Sequence, residues 1–561
     1  MVRPLRVRAG GVSESVKGLG GLGGTATRRG LTVAAATALA FMITAAALAA
    51  TGEIVVQECI EDNDPPAGDA CIRDADGLGG AVAGAASPDG LSYYAVSVTD
   101  DAIVRFARGQ SGALSPLGCI DDEDSGADSC QLSASGLDGA FSVAVSPEGN
   151  SVYVAAFDDD AIVRFDRDPA TGALSAQGCI DDDDPGQGPD SCAQSADGLD
   201  GVVSLAVSPD GKSLYAASLN DDAVVHFDRG TETGTLTPQG CIDDNDSGAD
   251  DCSAATDGLD GARSVVVSPD GESVYAASGP DDAVVRFTRD PQNGRIFAGG
   301  CIDDNDSGPD DCSQSTNGLD GARAVAVSPD GESVYAGSQI DAAVVRFGRD
   351  LENGTLTAEE CIDDNDTGAD TCVGSTDGLS GTFSLTVSPD GLSVYAAGLD
   401  DDAIVRFDRD SPGGELTPQG CIDDNDAPDG PDACAQSADG LGGALGVTSS
   451  AGTTSLYAQS VDDEAVIWLV RQDEDPPETT IVSGPRRKTK KRRASFEFVS
   501  SEPFSSFECK LDKRGFKPCG SPRAYSKKLL RPRKHSFHVR ALDEPGNTDP
   551  TPAKLKWKIK G

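Results

Sequence analysis

Histidine is nearly missing from this 561-residue chain, which has three. That scarcity weighs against a site built on an imidazole base or on histidine metal ligands. Aromatic residues make up only 5% and hydrophobic residues 38%, while glycine reaches 67. So lean an apolar content argues against a helical bundle and for many short strands joined by tight turns. Positive charge is scarce as well, with 45 Lys+Arg against 93 Asp+Glu and a formal net charge of −48. The shortage is confined to the body of the chain. After residue 475 there are 22 Lys+Arg and 8 Asp+Glu, so an acidic body carries a basic tail. A body of that charge repels nucleic acid, which is not an expected partner.

A long hydrophobic run occurs near the start. Arg28-Arg29 precedes an uncharged, Ala-rich stretch from Leu31 to Ala50, and Ala47-Leu48-Ala49 offers a small-residue cleavage site. Residues 1–50 therefore read as an export signal. A retained membrane anchor is the alternative, since about 20 apolar residues just span a bilayer. The expected location is secreted or cell surface.

Cysteine is plentiful. Sixteen residues form eight close pairs: Cys59/Cys71, Cys119/Cys130, Cys179/Cys192, Cys241/Cys252, Cys301/Cys312, Cys361/Cys372, Cys421/Cys434 and Cys509/Cys519. Even number, close pairing and an export signal point to local disulfides in an oxidising compartment. Zinc is the competing reading, but CxxC spacing is absent and histidine is scarce.

The first seven pairs recur at intervals of about 60 residues, and each period holds one supersecondary unit. In the third, Val203–Val207 alternates, Ser208-Pro209-Asp210-Gly211 turns, and Ser213–Ala217 follows as a second strand. Ala223–Phe227 is a third strand and Leu236–Cys241 a fourth, which makes a four-stranded antiparallel meander. Seven copies begin near Gly77, Gly136, Gly198, Gly258, Gly318, Gly378 and Gly440. The last lacks its fourth strand, and Glu53–Cys59 supplies one without the three before it. The expected fold is all-β: a seven-bladed β-propeller over residues 53–471, closed by its N-terminal strand. A linker over 472–485 and a C-terminal immunoglobulin-like β-sandwich over 486–561 complete the chain, which is expected to be a monomer.

The segments Val207-Ser208-Pro209-Asp210-Gly211-Lys212-Ser213-Leu214-Tyr215 and Phe165-Asp166-Arg167-Asp168-Pro169-Ala170-Thr171-Gly172-Ala173-Leu174 carry a resemblance. They resemble the seven-bladed lactonase-type and YVTN-type propeller repeats of bacteria. That likeness implies a fold. Lactonase-type members use His, Glu and Arg around a central channel, and none of those residues can be matched here. His226 is the one histidine inside the repeats, at a position where five copies carry Arg. In the tail, Phe507-Glu508-Cys509-Lys510-Leu511-Asp512 and Val539-Arg540-Ala541-Leu542-Asp543 resemble a bacterial immunoglobulin-like domain.

The acidic loop inside each cysteine pair suggests a metal. Calcium prefers several oxygen ligands held in a tight loop. Asp243, Asn245, Ser247 and Asp251 are spaced like part of an EF-hand loop. Asp303, Asn305, Ser307 and Asp311 repeat the pattern, and Asp363, Asn365 and Thr367 nearly do. The closing bidentate Glu is absent, and a solvated acidic hairpin is the competing reading. Loops between second and third strands, such as Asp158-Asp159-Asp160 and Asp221-Asp222, should share a face with these loops and make one rim densely acidic. Asp210-Gly211 and its counterparts read as hairpin turns only. Arg105, Arg164, Arg286, Arg346 and Arg406 recur in third strands as structural residues. Arg263 and Arg323 open two successive first strands; they could receive an anionic ligand, with pairing to nearby Asp as the favoured reading.

The expected function is that of an exported, non-catalytic binding or scaffold protein with an acidic face and calcium as its candidate cofactor. Its partner would be an extracellular protein or an anionic wall polymer. The alternative is a lactonase-like hydrolase acting in the central channel. Catalysis needs acid and base in different environments, and the repeats are expected to differ little around the channel.

Overall fold

The computed structural model describes residues 53–560 apart from 64–70, 72, 110, 124–129, 183–191, 246–251, 306–311, 366–371, 412, 426–433, 451–453, 472–475, 502–504 and 544–546. Residues 1–50, expected to be an export signal, lie outside the described residues. Every regular element among those described is a strand.

Each repeat folds as one sheet. In the third, Val202–Val207, Ser213–Ser218, Ala223–Arg229 and Leu236–Asp244 pair antiparallel in chain order. The polar turn Ser208–Gly211 closes the first hairpin, where Ser208 Oγ bonds Asp210 at 2.6 Å and accepts from Ser213 N at 3.0 Å. The second strand is buried along its whole length, because sheets cover both of its faces. Apolar clusters accordingly lie between consecutive sheets, such as Tyr153 and Ile162 of one against Leu205, Leu214 and Phe227 of the next.

The sixteen cysteines pair as expected: Cys59–Cys71, Cys119–Cys130, Cys179–Cys192, Cys241–Cys252, Cys301–Cys312, Cys361–Cys372, Cys421–Cys434 and, in the tail, Cys509–Cys519. The sequence treats the two halves of each repeat pair alike, and the structure does not. Cys59, Cys119, Cys179, Cys241, Cys301, Cys361 and Cys421 are buried inside fourth strands. Their partners Cys71, Cys130, Cys192, Cys252, Cys312, Cys372 and Cys434 lie outside any strand and are only half-buried. Each of those seven packs at the edge of an apolar cluster, so the bridge pins the end of an acidic loop to the core.

The first strands of the seven sheets neighbour one another in a closed cycle, with Ala81–Ala86 next to Ala444–Ser449. In the last sheet Ile54–Asp62 pairs antiparallel with Ala465–Arg471, with Ile54 opposite Arg471 and Glu61 opposite Ala465. The two ends of the repeat region thus share one sheet.

The fold class expected from the sequence does not stand as drawn, and two findings correct it. First, the unit is not a four-stranded antiparallel blade. A fifth strand, Ala254–Thr256 in the third repeat, runs parallel to Ile242–Asp244, so every sheet is five-stranded and mixed. The disulfide causes this: Cys241 and Cys252 sit 5.0 Å apart at Cα, which lays the chain leaving the loop beside the strand entering it. The same holds in the other repeats, where a short parallel strand starts just after Cys71, Cys130, Cys192, Cys312, Cys372 and Cys434. Three residues of Ala-Ala-Thr carry no alternation that would mark a strand.

Second, the tail is not the sandwich assigned to 486–561. It begins earlier, with Thr479–Ser483 inside the expected linker, pairing with Ala494–Ser500, which in turn pairs with Arg523–Tyr525. Its other sheet has five strands in the order Lys488–Thr489, Ala553–Ile559, Lys534–Leu542, Ser506–Leu511 and Lys517–Cys519. The first two of these are parallel. Phe496, Phe498, Phe537 and Trp557 fill the core, with the Phe496 and Phe537 rings 4.0 Å apart.

Candidate functional site

A β-bulge at the same place in every first strand builds the site. In the fourth repeat Ala262 opposes Ser278 and Ser264 opposes Ala277, which leaves Arg263 as the extra residue. A bulged residue drops out of the ladder and its side chain is re-aimed. The seven bulge residues are Val82, Phe141, Val203, Arg263, Arg323, Phe383 and Leu445, and all seven line one cavity of about 390 Å³. The repeats, expected to be nearly alike around the channel, differ there in size and charge.

Two cations stand on that otherwise apolar ring. Arg323 donates from Nη1 to Gln339 Oε1 at 2.9 Å, and its guanidinium lies 3.4 Å from the centre of the Phe383 ring. Burial, and then the charge of Arg263, lower its pKa to about 9. Burial also lowers that of Arg263. Neither arginine makes an ion pair with a carboxylate among the described residues, which corrects the expectation that nearby Asp would hold them. Phe141 faces Phe383 with ring centres 6.3 Å apart. Asp158 is the carboxylate on the wall, and Ser142, Ser204, Ser264 and Ser384 add hydroxyls.

Gly279 and Gln339 were passed over in the sequence. They follow the second strand, where other copies carry Val98, Phe157, Leu219, Leu399 or Val461. A Cβ on Gly279 would meet Arg263 Nε at 2.7 Å, so the glycine makes room for that side chain. Comparing repeats position by position would have revealed both exchanges.

The acidic loops have another role. Carboxylates clasp the backbone that leads into the first strands, three of them in most repeats. In the third repeat Leu199 N donates to Asp182 at 3.1 Å, Asp200 N to Asp221 at 2.6 Å and Gly201 N to Asp160 at 2.7 Å. Asp182 and Asp160 belong to the preceding sheet, so the clasp ties neighbours together. Asp160 has φ of +50°, in the left-handed region that Asp tolerates better than most residues. Burial, with Asp200 and Asp182 close by, pushes its pKa up to about 7.

Of the calcium candidates, Ser247, Asp251, Ser307, Asp311 and Thr367 lie outside the described residues. Asp243, Asp303 and Asp363 are buried at the ends of fourth strands. Asn305 and Asn365 donate to Asn317 and Asp377 at 2.5 and 2.6 Å, and Asn245 donates to Asp257. No group of three or more metal-ligating His, Cys, Asp or Glu side chains occurs among the described residues. Asp243 has its pKa raised by burial and by Asp244 and Asp222. The cysteines that flank these loops are bridging residues, and none of them lines the axial cavity.

Of the recurrent third-strand arginines, Arg286 reaches Asn353 O and Gly299 O, each at 2.8 Å, whereas Arg346 pairs with Glu359 and Glu360 and Arg406 with Asp408. His226 is buried and stacked on Tyr215 with centres 5.2 Å apart, away from the cavity wall. Burial, then Arg289 and Arg295, bring its pKa down to about 4.

No protein-family model matches the chain, and no curated protein matches it. Among solved structures it is similar to a periplasmic gluconolactonase of Pseudomonas aeruginosa, at 19% identity over 61% of this chain and 84% of that one, with a TM-score of 0.45. A provisionally assigned 6-phosphogluconolactonase of Bacteroides uniformis gives 19% identity over 63% and 86%, with a TM-score of 0.43. A β-propeller domain of Myceliophteria thermophila gives 10% identity over 75% and 100%, with a TM-score of 0.45. Likenesses of that size say nothing of substrate.

Proposed function

We propose that this chain is an exported, non-catalytic binding protein whose axial cavity receives a small organic anion with an apolar body. The observation that carries this reading is the pair of half-buried arginines, Arg263 and Arg323, on an apolar wall without a carboxylate partner. A buried cation without a counter-charge is costly, and a bound carboxylate or phosphate would remove that cost. Phe141 and Phe383 would flank the ligand's apolar part. Eight disulfides accord with an oxidising compartment.

Calorimetry with benzoate and phenyl phosphate as probes, and benzyl alcohol as the neutral control, tests the reading. The anions should bind and the alcohol should not. Arg263→Ala should weaken binding by about 2 kcal/mol, the size of a charge-assisted hydrogen bond lost from a sheltered site. Equal binding of acid and alcohol would sink the proposal. A lactonase-like activity would instead need a working acid and base; Asp158 is the carboxylate available, and turnover of gluconolactone lost in Asp158→Asn would favour that second reading.

Calcium at the disulfide-closed loops is a further part of the proposal, supported by the raised carboxyl of Asp243, which a divalent cation would bring back down. Melting in millimolar calcium against EDTA at matched ionic strength checks it. The absence of a calcium-specific rise would remove it.

A further inference from the structure

The five-stranded sheet of the tail carries a surface that the axial cavity does not explain. Three lysines stand in one rank across it, for Lys488 is the register partner of Lys558, and Lys558 that of Lys534. Lys510, His538 and Lys554 form a second rank. Side chains alternate along a strand, and the intervening Leu511, Phe537, Trp557 and Ile559 are buried, so both ranks share the outer face.

Like charges directly opposite one another destabilise a sheet. His538 registers this, since burial and then Lys554, Lys510 and Lys556 lower its pKa. The nearby carboxylates are already engaged. Asp512 takes His535 at 2.9 Å and Arg533 at 2.8 Å, while Glu508 takes Arg540. Lys488, Lys534, Lys556 and Lys558 have no side-chain ion pair or hydrogen bond among the described residues.

These four lysines also line a cavity of about 900 Å³, together with Arg514 and Trp557. Uncompensated cations therefore gather on one face.

We infer that this face binds a phosphate-bearing anionic polymer of the cell envelope, its phosphates spaced along a flexible, non-aromatic backbone. Lysine is a compact point charge on a flexible stem, suited to a row of phosphates whose geometry varies. Single-stranded nucleic acids are held by aromatic platforms on which bases stack. Phe516, beside this face, is covered by Arg540 at 4.4 Å and Lys510 at 5.2 Å. The disulfides again accord with a compartment where envelope polymers, not nucleic acids, present phosphate.

Binding of the full chain to immobilised poly(glycerol phosphate) tests this, with duplex DNA and polyglutamate as comparators. The polymer should bind best, and its affinity should fall steeply between about 50 and 300 mM salt. The triple variant Lys488→Gln/Lys534→Gln/Lys558→Gln should lose about tenfold or more in affinity, with no lower melting temperature, because the substitutions relieve repulsion. Should that variant fail to fold, Lys534→Gln alone should still lose about threefold. Unchanged binding by the variants, duplex DNA binding as tightly as the polymer, or no binding at all would overturn the inference.

Discussion

At the residue scale the most demanding side chain is the arginine that ends each third strand. Arg289 is buried and donates from Nε to Tyr215 at 2.7 Å, from Nη1 to Gly271 O at 2.8 Å and from Nη2 to Asp210 at 3.1 Å. Tyr215 and Asp210 belong to the preceding sheet, so one guanidinium joins two repeats. Arg349 and Arg409 do the same with Tyr275 and Asp270, and with Tyr335 and Asp330. Burial alone would raise the pKa of Asp210, but bonds from Ser208, Lys212 N and Arg289 outweigh it and hold the carboxyl below its usual range. The Asp of each Ser-Pro-Asp-Gly turn is therefore more than hairpin chemistry, which is all its sequence suggested. Nothing local reveals the partner, because it arrives from 79 residues away. Arg289→Ala should destabilise the protein by about 3 kcal/mol, as it strips several bonds at once, while Asp210→Asn should cost about 1 kcal/mol. Urea unfolding measures both. Equal, small losses would mean that the guanidinium is only packing.

At the scale of the element, the clasp on the Gly-Leu lead-in explains much of the acidity that looked like a solvated rim or a metal site. The left-handed Asp of one sheet reaches a backbone N–H of the next at Asp101, Asp160, Asp222, Asp282 and Asp402. In the fifth repeat the position is Ala342, at φ of +50°, and the loop it would reach carries Ser380 where most repeats carry another Asp. Ala342→Asp should thus be stabilising by about 1 kcal/mol, from one hydrogen bond and an easier backbone conformation. A lower melting temperature for that variant would show that charge crowding outweighs the bond. Asp160 gives the pH dependence. Its folded pKa, near 7, lies above the unfolded value, so its contribution is complete below about pH 4 and is lost as pH rises through 7. Asp200→Asn removes the nearest like charge. It should shrink the loss of stability between about pH 4 and 7 by roughly 1–2 kcal/mol, read from denaturation midpoints. Strand positions were legible because alternation is local, and the cysteine pairing because close spacing leaves few alternatives. The clasp and the fifth strand were not, because each depends on which residues the neighbouring sheet and the disulfide bring alongside.

At the scale of the whole molecule, seven sheets close on themselves because the chain's two ends share one of them. The register of Ile54–Asp62 against Ala465–Arg471 has the same form as Leu236–Asp244 against Ala223–Arg229, down to the irregularity in mid-strand. That pairing was readable from the sequence, since a fourth-strand pattern without its first three has one vacancy to fill. The asymmetry of the axis was harder to see. Counting periods emphasises what repeats share, whereas Arg263, Arg323, Gly279 and Gln339 matter because they break the pattern. Closure carries a prediction of its own. Without Ile54–Asp62 the strand Ala465–Arg471 would present a long apolar edge, a template for association. Deleting residues 53–75 should therefore yield a chain that aggregates, as followed by light scattering during a thermal ramp. A permuted chain decides whether sequence content or covalent order is responsible. Residues 53–75 would follow Arg471 through a copy of the loop Gly230–Thr235, which joins the equivalent strands of the third repeat. If the shared sheet acts only by filling the edge, the permutant should melt cooperatively within about 2 °C of the parent, a change of under roughly 2 kcal/mol for a domain this large. If it aggregates like the deletion, the tie between the distant chain ends is itself what holds the seven sheets together.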